Sequence, residues 1–353
     1  MRPQRERVPR EAGDDDRARW LDRQLVALET LARGQAGEEL PYVEEVRRCF
    51  DAAPEPLPPE AYAEARVELN GALPGAGDLR ARLAEWADRF TVPVERLPDL
   101  VDWLLPRIRK SAVARFGVPD GERLRIGLVT GQPWSGYNWY DGNLSSRVDL
   151  NTDLPIRAGD LIATLTHETY PGHHLEHAWK ETRLVREAGQ LESSVLLINT
   201  PECYVSEGLA ELGRRYTLDR DTRLALLEGL YQRAGLAADR SDAERQMAIS
   251  DALQSIRGAG GDAALLLHAE RRPAAEVQHF LEEQGLMEPD RARKRMEFVS
   301  HPLWRTYVFS YAGGEQLLAT WCEAGDGVDD ARRRFERLLT EQLTPSGLAA
   351  QLG

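Results

Sequence analysis

Histidines gather in one short stretch of the chain. Residues 167–177 read HETYPGHHLEH and hold four of the seven histidines in the 353-residue sequence. Many zinc hydrolases carry His-Glu-x-x-His on a helix, where two histidines one turn apart bind the metal and the glutamate acts as general base. Pro171 occupies the position of the second histidine of that motif. The chemistry of the stretch therefore depends on what this proline does to the helix.

A Pro-Gly pair separates the histidines and interrupts the predicted helix. In an unbroken helix His167 and His174 would lie about 10 Å apart along the axis, too far for one zinc with bonds near 2 Å. If the pair is a two-residue bulge, His173 returns to a position one turn after His167, and Glu168 keeps the position of the base. We therefore predict His167 and His173 as metal ligands, with His174 as the alternative to His173, and Glu168 as the general base.

The alternative is a solvated helix surface whose histidines bind nothing. An apolar run, residues 161–165, precedes His167 and predicts a partly buried helix. Buried imidazoles need polar partners or a metal ion, so the composition favours the metal interpretation.

A third ligand is expected downstream, because a catalytic zinc takes three protein ligands and leaves a fourth position for water. Glu207 and Glu211 are four residues apart and share one helical face. Gly208 and Ala210 keep this helix slim enough to approach the first. We predict Glu207 as the third ligand and Glu211 as a partner that orients a histidine; an ordinary surface helix is the alternative.

A later segment, residues 301–311, could stabilise negative charge. It carries His301, Arg305, Tyr307 and Tyr311, and such side chains aimed at a developing oxyanion stabilise it. We predict this role for Tyr311 and interpret Tyr307 as a core aromatic.

Three motifs together resemble the bacterial domain-of-unknown-function 885 family, which is grouped with gluzincin-type zinc metallopeptidases. They are HETYPGHH at 167–174, SEGLAELG at 206–213 and SYAGGEQLL at 310–318. The family pattern is HExxPGHH, then EGWA with a further Glu, then Tyr-x-x-Gly, and the resemblance covers about residues 131–318. Leu209 replaces the family's Trp, Glu176 stands where Gln is commoner, and the chain is shorter than most members.

The resemblance implies a role for each matching residue. The implied set is His167, His173 and Glu207 as ligands, Glu168 as base, and Tyr311 with Gly314 in the late segment.

Composition narrows the class of protein. A hydrophobic content of 42% predicts a globular chain, and a formal charge of −13 argues against a nucleic-acid partner. We expect no membrane-spanning segment and no standard secretion signal. Three widely spaced cysteines indicate neither a disulfide framework nor a cysteine zinc site, so we expect a cytoplasmic protein.

The periodicity predicts a mainly α fold with a small sheet or hairpin just before the metal-binding helix, and the resemblance implies that this fold is zincin-like. We expect a disordered or truncated arm at 1–18, a helical region at 19–120 and a catalytic region at 121–353. The sheet falls within 122–153, and both regions form one compact unit. Residues 145–153 are the predicted edge strand for the substrate backbone. Trp134, Tyr137 and Trp139 either line a pocket or pack in turns.

The predicted function is a zinc hydrolase that cleaves peptide bonds, with one zinc ion or another divalent ion as cofactor. The predicted partner is a peptide or a small amide. One alternative is an amidohydrolase for a small metabolite, and another is a non-catalytic helical interaction protein.

Overall fold

Helices form the first third of the molecule. The computed structural model describes residues 15–132 and 134–352. Its first helices are α1 (Asp15–Gln35), α2 (Tyr42–Phe50), α3 (Pro59–Ala72), α4 (Leu79–Arg89) and α5 (Leu97–Phe116). Helix α1 begins inside the predicted arm, and the rest of that arm lies outside the described residues.

A three-stranded sheet follows the first helices. Its strands are β1 (Arg123–Val129), β2 (Gly136–Gly142) and β3 (Ser145–Asn151), in the order β1-β3-β2. Strand β3 pairs parallel to β1 and antiparallel to β2. The prediction of 145–153 as an edge strand is therefore wrong. Both neighbours of β3 are strands, and its buried Val148 and Leu150 fit that central place.

The remaining helices follow the sheet. They are α6 (Ala158–Glu168), α7 (His173–Lys180), α8 (Pro201–Thr217), α9 (Arg220–Ala234), α10 (Arg240–Ser255), α11 (Ala259–Ala264), α12 (Ala274–Glu283), α13 (Pro289–Ser300), α14 (Val308–Glu323), α15 (Val328–Thr340) and α16 (Pro345–Ala349). The prediction of a mainly α chain with a small sheet before the histidine-rich segment is confirmed.

One large apolar core joins the two predicted regions. Leu104 of α5, Leu165 of α6 and Trp321 of α14 belong to this core, and all three side chains are fully buried. Helices α8 and α14 approach closely at two glycines. A Cβ on Gly208 would lie 2.4 Å from the carbonyl carbon of Gly314, so a larger residue would push the helices apart. The two glycines therefore allow α8 and α14 to pack with their backbones in contact.

Two features of the structure bear on the expected environment of the protein: the hydrophobicity of its helices and the state of its cysteines. Over 15–132 and 134–352, no helix combines the length and the apolar character needed to cross a membrane. Cys49, Cys203 and Cys322 are buried free thiols.

Candidate metal centre

The loop between α6 and α7 shifts the helical hydrogen-bond ladder by two residues. The Gly172 N–H donates to the Thr166 carbonyl at 3.1 Å, and the Leu175 N–H donates to the Thr169 carbonyl at 3.2 Å. Each bond spans six residues, whereas an α-helical bond spans four. The loop thus inserts two residues into the ladder, as the Pro-Gly pair predicts.

Glycine is required at position 172. A Cβ there would lie 1.8 Å from the carbonyl oxygen of His167, a distance that no side chain tolerates. The close approach brings the end of α6 and the start of α7 together. The rings of His167 and His173 meet edge to face, with centroids 4.7 Å apart.

Two imidazoles and one carboxylate converge at this point. His167 Nε2 lies 3.3 Å from Glu207 Oε2, and His173 Nε2 lies 3.2 Å from Glu207 Oε1. One potential ligand atom from each of the three residues lies within 4.8 Å of the others. Helix α6 supplies the first histidine, α7 the second and α8 the glutamate. The structure therefore brings together the three predicted ligands.

The spacing of these atoms fits a divalent ion. Ligands placed tetrahedrally about 2.0–2.1 Å from zinc are about 3.3 Å apart, which matches both nitrogen–oxygen distances. Glu207 Oε2 is buried and makes no hydrogen bond to the described residues. Its ion-pair partner is His167 Nε2 at 3.3 Å, and a buried carboxylate needs such a positive charge, from a protonated imidazole or a metal ion. The donor set, two imidazoles and a carboxylate, is one that catalytic zinc sites use.

The electrostatics of the cluster also favour positive charge. Burial lowers the pKa of His173, but Glu207 and Glu176 together outweigh it, and the pKa rises to about 9. Burial raises the pKa of Glu207, but His173 and His167 bring it well below its usual value. The cluster therefore keeps its carboxylate ionised and favours positive charge between it and the histidines, which either a proton or a metal ion can supply.

His174 lies outside the cluster, although it follows His173 directly. Its Nδ1 is 2.8 Å from Ser146 Oγ on β3, and its Nε2 is 2.9 Å from Glu122 Oε2. Glu122 also accepts a hydrogen bond from the Tyr170 hydroxyl at 2.8 Å. Both imidazole nitrogens of His174 are thus occupied by protein partners, and the ring ties α7 to the sheet.

Glu211 contacts the other side of His167. Its Oε1 lies 3.4 Å from His167 Nδ1, at a geometry that gives an electrostatic contact rather than a well-directed hydrogen bond. Arg257 Nη2 lies 2.6 Å from the same carboxylate oxygen and holds it in place. The structure thus places Glu211 where the sequence predicts a histidine-orienting partner.

Two residues contact the cluster although the sequence predicted no supporting role for them. Ser206 Oγ is 3.1 Å from His173 Nδ1 and donates a hydrogen bond to Glu176. The Tyr307 hydroxyl donates to Glu207 Oε1 at 2.6 Å. Tyr307 is buried, as expected of a core aromatic, but it also contacts a candidate ligand. The only available signals were the adjacency of Ser206 to Glu207 and the spacing of Tyr307 from Tyr311.

Glu168 lies at the end of α6 beside the cluster. Its side chain is buried, and burial raises the pKa of the carboxyl, while His167 and His173 oppose the rise. Asn138 on β2 donates its amide to the Glu168 carbonyl at 2.8 Å. The edge strand β2 therefore fixes the backbone that carries the predicted base.

Tyr311 is the one member of the late segment, besides Tyr307, that reaches the cluster. Its ring lies 6.2 Å from the ring of His167. Arg305 pairs instead with Glu45, and the exposed His301 accepts a hydrogen bond from the Leu303 N–H. The late segment thus contributes its tyrosines to the site, whereas its histidine and arginine make contacts elsewhere.

Three aromatics stack in a row along β2 and the residues before it. The ring centroids of Trp134 and Tyr137 are 5.4 Å apart, and those of Tyr137 and Trp139 are 4.5 Å apart. Burial raises the pKa of Tyr137, and Cys203, Glu207 and Glu168 add to the rise. The preceding Gly136 lies against the cluster, because a Cβ there would be 3.2 Å from Glu168 Oε1. The row leads from the cluster to the partly exposed Trp139.

Comparison with known proteins leaves the site to be interpreted from its own geometry. The chain matches no protein-family model in a scan, and a search of curated proteins finds no significant match. The resemblance to the domain-of-unknown-function 885 family stays a prediction based on three motifs.

Proposed function

We propose that this protein is a zinc-dependent hydrolase that cleaves peptide bonds. The observation that supports the proposal is the convergence of His167, His173 and Glu207, with nitrogen–oxygen distances of 3.2 and 3.3 Å and one potential ligand atom from each residue within 4.8 Å of the others. A buried glutamate, Glu168, adjoins the first of these residues. Zinc suits two imidazoles and a carboxylate, and such a site also accepts other divalent ions.

A bound divalent ion would polarise a water molecule and the substrate carbonyl. Glu168 would take the proton of that water and deliver it to the leaving amine nitrogen. Its raised pKa suits both steps, because a group that accepts and then donates a proton works best with a pKa near the ambient pH.

Tyr311 would donate its hydroxyl hydrogen to the oxyanion of the tetrahedral intermediate. Burial raises the pKa of this phenol well above its usual value, and Glu207 adds to the rise. The phenol therefore stays protonated and serves as a hydrogen-bond donor. Tyr307 would hold the Glu207 carboxylate in place.

The edge strand β2 would pair with an extended substrate backbone. It has β3 on one side only, and its Asn138 contacts the carbonyl of Glu168. Strand addition at such an edge would place a peptide beside the proposed base. The buried free thiols suit a reducing compartment, and the cytoplasm is the location that we propose.

The test separates metal binding from hydrolysis. A Glu168→Gln protein should retain one equivalent of zinc and lose peptide hydrolysis by about 10²–10⁴-fold, the usual contribution of a general base. Glu68→Gln, an exposed change on α3, is the matched control and should hydrolyse at the wild-type rate. An unchanged rate in Glu168→Gln would remove Glu168 from the mechanism. Assays with a peptide library and with small amides would then define the substrate.

A further inference from the structure

Arg295 on α13 differs from the other cations of its helix. Arg293 pairs with Asp290 at 2.9 Å, Lys294 pairs with Asp153 at 3.3 Å, and Arg291 donates to the Pro155 carbonyl at 3.2 Å. In the part of the chain that the structure describes, Arg295 has no hydrogen bond and no ion pair. Its one directed contact is with the ring of Phe298, 5.7 Å away.

An arginine without an acidic partner is costly in this setting. The side chain is partly buried, and its stem lies so close to Gly260 that a Cβ there would be 3.3 Å from Arg295 Cδ. Burial lowers the pKa of the guanidinium, yet arginine stays charged at all ordinary pH values. The contact with the Phe298 ring offsets part of the cost of desolvation, and an anion that approaches the guanidinium would offset more.

Arg257, in contrast, forms ion pairs with two carboxylates of the protein. Its Nη2 lies 2.6 Å from Glu211, and its Nη1 lies 2.7 Å from Glu315. Arg257 therefore serves the protein's own carboxylates, whereas Arg295 is left for an external one.

Arg295 lies beside the reacting end of the site. Its guanidinium carbon lies 5.7 Å from the Phe298 ring, the Phe298 and Tyr307 ring centroids are 6.5 Å apart, and those of Tyr307 and Tyr311 are 5.6 Å apart. The charge of Arg295 also opposes the rise that burial and Glu207 impose on the pKa of Tyr311. The ring of Tyr311 in turn lies 6.2 Å from the ring of His167. An anion held by Arg295 would therefore be close to the bond that the proposed mechanism breaks.

We infer that Arg295 recognises a carboxylate of the substrate, located within about one residue of the scissile amide. A guanidinium binds a carboxylate through two parallel hydrogen bonds, which fixes orientation as well as charge. The carboxylate is either the free C-terminus of a peptide or an acidic side chain next to the cleaved bond. The inference rests on the proposed function, since it names the substrate class of the same site.

The test measures binding rather than turnover. Zinc-loaded Glu168→Gln protein is titrated by calorimetry with three probes: N-benzoyl-Gly-Phe, its C-terminal amide, and N-benzoyl-Gly-Asp with an amidated C-terminus. At least one carboxylate probe should bind at least about tenfold more tightly than the neutral amide, and adding Arg295→Gln should abolish the difference. Tighter binding of the first probe assigns the C-terminus, and tighter binding of the third assigns a side chain. Adding Arg293→Gln, on the same helix, should leave the difference intact.

Several results would overturn the inference. Equal binding of all three probes, absence of binding, or a preference that survives Arg295→Gln would each do so. Urea unfolding provides the check on structure. Because Arg295 has no polar partner among the residues that the structure describes, Arg295→Gln should leave the midpoint unchanged or raise it. A lower midpoint with no loss of preference would indicate a purely structural role.

The same design separates the inference from the proposed function. Arg295-dependent binding of a carboxylate probe, with no hydrolysis by the unmutated protein, would retain the recognition site and reject the peptidase. Hydrolysis that ignores the carboxylate, together with equal binding of the probes, would retain the peptidase and reject the role of Arg295.

Discussion

His173 and His174 are neighbours in the sequence, yet their surroundings are opposite. His174 has a protein partner on each ring nitrogen, Ser146 and Glu122, and is fully buried. His173 has Ser206 at Nδ1, while its Nε2 faces a carboxylate shared with His167. The first ring is a structural link with both nitrogens paired, and the second belongs to the cluster that we propose to bind a metal ion.

Residue type alone therefore does not distinguish a candidate metal ligand from a structural histidine. Both histidines are buried, and both have a glutamate within 3.2 Å of Nε2. What separates them is whether the glutamate is otherwise satisfied. Glu122 accepts a hydrogen bond from Tyr170 and pairs with Arg109 at 2.6 Å. Glu207 accepts one from Tyr307 at Oε1, but its buried Oε2 has no hydrogen bond to any described residue. This difference supports the proposal that His173, and not His174, binds a metal ion.

The largest effect on zinc binding should follow from replacing each of the two histidines by alanine. His173→Ala should weaken zinc binding by more than about a hundredfold, because even partners outside the ligand set contribute about 10–100-fold. His174→Ala should retain one zinc equivalent and lower the free energy of unfolding instead. Zinc titration against a chelator and urea unfolding measure the two quantities. The contrast fails if both variants lose zinc equally.

The loop that sets the two rings apart should also be sensitive. Gly172→Ala forces a Cβ against the His167 carbonyl and should cost roughly 3 kcal/mol of unfolding free energy, with loss of zinc binding. Gly71→Ala, in α3 with open space around it, is the matched control. That change should be neutral or stabilise by up to about 1 kcal/mol. Equal stability of the two variants would show that the ladder shift does not depend on glycine.

On the structural side, Glu122→Gln should lower the free energy of unfolding by about 1.5–3 kcal/mol and leave zinc stoichiometry unchanged. Burial raises the pKa of Glu122, but hydrogen bonds from His174, Tyr170 and Arg109 bring it down to about 2. A lowered pKa stabilises the fold above the unfolded value of about 4.3 and loses that contribution as pH falls toward 2. Acid unfolding curves should therefore be flatter for Glu122→Gln than for the unmutated protein, and parallel curves would contradict this account.

The smallest effect concerns the partner of His173 Nδ1. Ser206→Ala should weaken zinc binding by about tenfold, because the ring loses the contact that fixes its orientation. Ser194→Ala removes an exposed hydroxyl that bonds only a local carbonyl and should have no effect. Equal zinc affinities in the two variants would mean that Ser206 does not orient the ring.

Local patterns predicted the helices and the ladder shift. The Pro-Gly pair has a backbone effect that elementary geometry captures, and the four-residue spacing of Glu207 and Glu211 is a property of one helix. These features need no knowledge of distant contacts.

Long-range pairing explains what the sequence analysis missed. Strand β3 lies in the centre of the sheet because it pairs with β1 as well as with β2. The pairing with β1 joins residues 22 positions apart, such as Arg123 and Ser145, and no local sequence pattern encodes that register. Tyr307 reaches Glu207 across 100 residues, and Glu122 reaches His174 across 52. Arg305 shows the reverse case, since its partner Glu45 lies 260 residues away and draws it from the site.

The most direct test of the central claim is a crystal structure of the zinc-loaded protein with anomalous data at the zinc edge. We expect one strong anomalous peak within bonding distance of His167 Nε2, His173 Nε2 and Glu207, with His174 still paired with Glu122 and Ser146. A zinc site built on His174, or no peak at the three-residue cluster after zinc loading, would contradict it.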